Sequence, residues 1–230
     1  MPRYKTYDAP HKGLRNGLSQ VSLLAGRTDY SNPDEIAQLH QLGTRVFSIL
    51  TVHAEDENSV TLAHLETRYP GCSQHDIDDH EEIRAAQQSL EVQLAAISAG
   101  ASEGKNMTEA GAEFYLAFSE FHGKYLEHNA EEERVTQILL WQHFTDEELA
   151  AHRVQIMSRN PPRTLLTWFE FVIPAMTRAE RVGLLTGFKR MAPADFFAEG
   201  MDVIQKSLPP SEFQHLENAL PRPFYAGDRS

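Results

Sequence analysis

Residues 53–64 read HAEDENSVTLAH, and they continue a helical run whose inward stripe is otherwise apolar. Just before them Ile36, Leu39, Leu42, Val46, Ile49 and Leu50 recur in steps of three and four, the spacing of one face of an α-helix. The same steps then land on His53, Glu57 and Val60. Burying an ionised carboxylate without a partner costs several kcal/mol, so a chain that turns Glu57 toward its core must compensate for it.

Working outward, the pattern recurs. The stretch 107–141 carries Phe114, Phe118, Phe121, Tyr125, His128, Glu132, Val135 and Leu139 on one face, and is expected as one long fourth helix. His128 and Glu132 stand one turn apart, as His53 and Glu57 do, so the two members of each pair share a helix face. His80 opens a third stripe of Ile83, Gln87, Leu90, Leu94 and Ile97, which runs until Gly100. His11 lies three residues before Leu14, on the side shared by Leu18 and Val21 of the first helix.

Helix signals dominate throughout. Sustained period-2 alternation is missing and β-branched clusters are few, so the spacing predicts an all-α protein. Asn32 or Ser31 caps the second helix with Pro33 at its first position, and Pro-Gly at 70–71 ends it. TDEE at 145–148 and TRAE at 177–180 are capping boxes of shorter helices in a proline-punctuated region. The expected division is a four-helix bundle over residues 1–143, then a helical extension over 144–230 ending in a loose tail, PRPFYAGDRS. The extension's Trp168, Phe169, Phe171, Phe196 and Phe197 are too apolar to stay free and should pack on the bundle, a second copy or another protein.

Composition narrows the function. With 33 acidic and 21 basic residues among 230, the net charge of -12 argues against a nucleic-acid binder. A single cysteine, Cys72, excludes intrachain disulfides and thiolate-rich metal sites and fits a reducing cytoplasm. It sits beside a Pro-Gly turn, where an exposed thiol is expected. The first residues, MPRYKTYDAPHKG, have no apolar core of a signal peptide, and LLTWFEFVIPAM is short and interrupted by Glu170 and Pro174. The expectation is therefore a soluble cytoplasmic protein with no membrane partner.

Four expected helices thus turn His11, His53, Glu57, His80, His128 and Glu132 inward. Imidazole nitrogen and carboxylate oxygen without thiolate suit iron, manganese or zinc, and two carboxylate-bridged metals need about this many ligands. The competing reading is a hydrated polar layer that sets helix register, but six convergent groups exceed what register needs. His122 and His75 are turned about 120° and 140° from the nearest seam histidine, so they belong at the surface or behind the ligands. His40, His64, His143, His152 and His215 have no partner carboxylate on a seam and read as solvated or core-edge residues. The aromatic stripe of the fourth helix reads as core, and HAEDE and EEER read as solvated faces from which only Glu57 and Glu132 point inward. Tyr125, Gln87, Glu131 and Glu81 are the expected partners behind the ligands.

The segments PHKGLRNGL, HAEDE, DDHEEI and HNAEEE resemble the four ligand segments of the hemerythrin-like, or HHE cation-binding, family over residues 8–141. That resemblance implies an up-down four-helix bundle around a non-haem centre of two iron ions. It makes His11, His53, His80 and His128 terminal imidazole ligands, and Glu57 and Glu132 the carboxylates that bridge or cap the irons. One departure stands out: where oxygen carriers of the family have a second histidine one turn from the third-helix ligand, this chain has Asp76 and Arg84. Either Asp76 supplies an oxygen, or one iron keeps an open or water-filled position. The match is thereby closer to the iron-sensing hemerythrin-like domains of ubiquitin-ligase subunits. TWFEFVIPAMTRAERVGLLTGF is similar to segments that follow the bundle in plant ligases, though no ring-finger cysteines are present.

The resemblance implies a protein that binds or senses oxygen, nitric oxide or iron supply. An alternative is a di-iron oxidase or peroxidase acting on a small reductant, but ferritin-like enzymes present Glu-x-x-His, whereas both pairs here are His-x3-Glu. A third reading is a metal-stabilised scaffold whose extension docks a partner.

Overall fold

The computed structural model of the chain describes residues 3–221, so the expected tail after Pro221 lies outside the described residues. No strand occurs among them, and no helix there is long and apolar enough to cross a membrane. The protein is all-α.

Helix α1 spans Asp8–Arg27 and α2 Pro33–Asp56, followed by a π-helical turn at Glu57–Thr61 and α3 at Leu62–Arg68. Then come α4 (Gln74–Ser102), α5 (Thr108–Arg134) and α6 (Thr136–His143). The rest of the described chain forms α7 (Asp146–Arg159), α8 (Pro162–Ala175), α9 (Arg178–Met191), α10 (Ala194–Ser207) and α11 (Pro210–Ala219). Local chemistry sets several of these boundaries. Asn32 caps α2 by accepting from the Asp34 amide at 3.0 Å, with Pro33 at the first position. Both expected capping boxes form, Thr145 with Glu148 and Thr177 with Glu180. Gly71, at φ +84°, makes the turn after α3 that a side chain would strain.

Helices α1, α2, α4 and α5 close a ring, with α1 against α2 and α5, and α4 against α2 and α5. Their apolar stripes meet in one cluster built on Leu14, Leu18, Leu39, Leu50, Leu94 and Phe118. At about 1.5–3 kcal/mol for each fully buried large side chain, this cluster is the main source of the ring's stability. The aromatic stripe of α5 is core as expected, with Phe114, Phe118 and Phe121 in successive ring contacts at 6.0 and 6.1 Å.

Two expectations about helix continuity are corrected. The fourth helix does not run unbroken to 141, because α5 ends at Arg134 and Val135 adopts φ -110°. Val135, expected on the inward stripe, is exposed, and Thr136, Gln137 and Leu140 are buried instead. The break serves tertiary bonds: Thr136 Oγ1 donates to Asp76 Oδ2 at 2.8 Å, and Gln137 Oε1 accepts from the Thr6 amide at 2.7 Å. The second helix widens into its π turn beginning at Glu57, a local geometry that concentrates at functional sites.

Helix α8 explains the apolar run after the ring. It packs on α1 and α2, sending Phe171 into the ring's own cluster, while Phe169 and Ile173 join Leu185, Phe188 and Ile204 in a second cluster. Its Glu170 pairs with Arg45 at 3.0 Å. Contact with α1 is so close that a Cβ on Gly13 would lie 2.4 Å from Val172 Cγ2 and 3.2 Å from its Cα. Gly13→Val should therefore destabilise the protein by about 1–3 kcal/mol through overpacking. A urea midpoint that falls at unchanged slope would show it, and an unchanged midpoint would mean α8 does not seat this tightly.

Candidate metal centre

The widened turn and the uninterrupted part of α5 bring all six seam residues to one place. One nitrogen or oxygen from each of His11, His53, Glu57 and Glu132 lies within 4.8 Å of the others, and His80, His128 and Glu132 form a second such group. Glu132 belongs to both. Its carboxylate approaches His11 Nε2 at 3.3 Å and His128 Nε2 at 3.4 Å through Oε2, and His80 Nε2 at 3.8 Å through Oε1. Glu57 faces it, with Oε1 3.1 Å from His53 Nε2 and Oε2 3.4 Å from His80 Nε2. All six residues are buried, His11 and Glu132 completely at 0% exposure.

These close approaches are not hydrogen bonds. His11 Nε2, His53 Nε2, His80 Nε2 and both oxygens of Glu57 and of Glu132 have no hydrogen-bond partner among the described residues. Buried polar atoms are nearly always satisfied, so this many orphans facing one point require something to bond them. A cation does so. Nitrogen and oxygen atoms without sulfur are the donor set of iron, manganese or zinc, and the two groups can hold a metal ion.

The outward ring nitrogens support that role. His11 Nδ1 meets Glu133 Oε1 at 2.9 Å, His80 Nδ1 meets Asn58 Oδ1 at 2.8 Å, and His128 Nδ1 meets Asp79 Oδ2 at 3.3 Å. With the proton on Nδ1, facing these acceptors, a neutral ring presents its Nε2 lone pair inward, as a metal-ligating imidazole requires. Asn58→Ala should accordingly weaken metal binding by about 10–100-fold while the chain stays folded. Titration of the metal-free protein with ferrous iron measures this, and an unchanged affinity would strip Asn58 of the role.

Electrostatics separates the two carboxylates. Burial drives the Glu57 carboxyl well above its ordinary range, and Glu132, Asp76 and Asp56 add to the rise. Burial also acts to raise Glu132, but the close approach of His11 and the charges of His128, His11 and His53 outweigh it and hold Glu132 below the usual range. Among the imidazoles, burial pushes His80 down to about 4 and His53 well below its ordinary value. Burial opposes a charge on His11 too, yet Glu132 and Glu133 prevail and raise it. Without a cation, the imidazoles thus favour a charge on Glu132, and burial opposes one on Glu57.

Sequence reasoning missed most of the supporting partners. Of the four expected, only Tyr125 lies against the centre, edge-on to His128 with ring centroids 6.1 Å apart. Gln87 instead donates to Phe47 O and Thr51 Oγ1, Glu131 pairs with His75, and Glu81 is exposed. Glu133 and Asp56, expected on solvated faces, are engaged instead: Glu133 binds His11 and Arg15, and Asp56 is buried and accepts from Asn160 Nδ2 at 2.7 Å. Tyr7, which lies on none of the apolar stripes, is buried, stacks on His11 at 4.9 Å, and its hydroxyl has no partner among the described residues. No helical period could find it, because it precedes α1.

Asp76 is buried beside the centre but belongs to neither group, and one of its oxygens is engaged by Thr136. His75 is exposed and meets Asp79 and Glu131 in a third, surface group, while His122 is half-buried. His152 is buried and stacked on His64 at 4.2 Å, a core-edge position. Cys72, expected exposed, is half-buried beside Ser73. Comparison of the chain with protein-family models, curated proteins and solved structures finds no match.

Proposed function

We propose that this chain is a hemerythrin-like protein whose ring of α1, α2, α4 and α5 is an up-down four-helix bundle around two iron ions, and that the centre binds or senses oxygen, nitric oxide or iron supply. The observation that carries this reading is the convergence of six buried ligand-type side chains, in five of which the inward atoms have no hydrogen-bond partner among the described residues. Glu132 is common to both groups and would be a ligand to both ions, with His11, His53 and Glu57 as the further ligands of one and His80 and His128 of the other.

Bound iron on such ligands supplies a redox-active position for a small diatomic ligand. The chain's own residues do the rest. Glu133, Asn58 and Asp79 hold the ring protons that orient the imidazoles. The aromatic rings of Tyr7, Tyr125 and the α5 stripe restrict water around the centre. Chain purified from iron-replete growth should carry about two irons and an absorbance that changes on exposure to air. Elemental analysis and an optical spectrum test this, and a preparation free of transition metal would end the reading; manganese or zinc in place of iron would end the diatomic-ligand part.

Proton exchange gives a second test. Burial and the neighbouring Glu132 push the Glu57 carboxyl well above its ordinary range, so a divalent ion binding its oxygens competes with a proton. Metal binding should release protons, and affinity should weaken as pH falls. Calorimetric titration in buffers of different ionisation enthalpy measures the proton count, and an enthalpy independent of buffer would contradict it.

A further inference from the structure

A cavity of about 590 Å³ lies where the amino-terminal stretch, the π turn and helices α7 to α10 meet, and its inner end is formed by His53, Glu57 and Trp168. Trp168 stands edge-on to His53 at 6.1 Å. The space is far larger than a diatomic molecule needs and falls within the range of pockets that take small organic ligands. Its walls are mainly apolar, including Leu165, Phe169, Val172, Leu184, Phe188 and Phe196. Val154 and Met191, 61% and 68% exposed, lie on its outer part and open it to solvent.

Two features distinguish it from a packing gap. Gly183 and Gly187 stand one turn apart on α9, line the cavity, and would meet nothing within 4 Å if given a Cβ. Glycine inside a helix costs about 0.5–1 kcal/mol relative to alanine, and here no close approach of neighbouring atoms requires it. Its effect is to keep volume open. The second feature is charge. Lys5 and Arg153 are exposed on the lining and have no ion pair among the described residues of a chain with net charge -12. Of the lining carboxylates, Asp56 is already engaged by Asn160, and Glu57 belongs to the centre.

We propose that this cavity binds an amphipathic organic acid, its hydrocarbon body along α8 to α10 and its anionic group at Lys5 and Arg153, so that part of the body abuts His53 and Glu57. That the ligand thereby meets a metal rests on the reading above; that the cavity takes it does not. The ligand class follows from the walls and the two cations, and the contact with His53 places it within reach of the centre's least shielded imidazole.

The probe is 1-anilinonaphthalene-8-sulfonate, an apolar body with one fixed negative charge, titrated into iron-loaded full-length protein and then displaced by decanoate or by 1-decanol. Wild-type chain should bind about one probe saturably, release it to decanoate more readily than to the alcohol, and change its iron absorbance when decanoate binds. Gly183→Leu and Gly187→Leu, which fill the space, should each weaken binding about tenfold or more with iron content unchanged. Their thermal midpoints should not fall, since leucine favours helix over glycine. Arg153→Glu should remove the preference for the acid. Absence of saturable binding to iron-loaded wild type would overturn the proposal, as would equal binding by either folded leucine variant; should those variants misfold, equal displacement by decanoate and decanol would overturn it. Binding to a chain that carries no metal would instead defeat the metal reading and leave the cavity's ligand class standing.

Discussion

Glu132→Gln should reduce iron affinity by more than about 100-fold and take both ions together. Loss of a group behind a metal ligand already costs about 10–100-fold, and Glu132 is itself the one residue common to both ligand groups. It is wholly buried, so water cannot substitute for the missing oxygen without opening the ring. The amide keeps the shape of the side chain and removes its charge, which separates coordination from packing. Iron content per chain, with circular dichroism as the control for folding, is the measurement. His128→Ala, by contrast, should spare the group of His11, His53 and Glu57 and leave about one ion. Retention of both ions by folded Glu132→Gln protein would exclude Glu132 as the shared ligand.

Chelation should lower the thermal midpoint by about 8–16 °C. A ligand present at a thousand times its dissociation constant stabilises the native state by about 4 kcal/mol. In chains of this size each kcal/mol moves the midpoint by about 2–4 °C. The direction follows from the centre's composition: without the cation, two buried carboxylates and four buried imidazoles face one another with their inward atoms largely unbonded. Scanning calorimetry of metal-free and reloaded protein at neutral pH measures the difference. If the midpoint did not change, these six groups would be a self-sufficient polar layer, the bland alternative that the residue pattern also allows.

Much of this was legible in the amino-acid order, for an identifiable reason. Steps of three and four mark the buried face of a helix wherever the helix stays regular, so Ile36 to Leu50, Ile83 to Ile97 and Phe114 to Tyr125 could be assigned to the core in advance. The six inward His and Glu residues were read from the same steps, because polar residues on an apolar face stand out against it. Asn32, Thr145 and Thr177 declared their helix starts through side chains that bond amides two or three residues away.

What failed was whatever depended on departures from regularity or on distant partners. A period of 3.6 turns Asn58 about 100° away from Glu57, and no rule of composition says that a π turn there will bring it to His80. The phase slip at Val135 follows from Asp76 and Thr6, which lie far away in the chain. Glu133 looked solvated because its partner, His11, belongs to another helix.

By itself, then, the amino-acid order determined that the chain is helical, which residues face inward and where several helices begin, since these depend on neighbours within one or two turns. Tertiary structure alone decided that the inward groups converge, which partners orient the imidazoles, and that a cavity opens beside His53. Those depend on how separate helices are positioned against one another, a matter of packing that no local period contains.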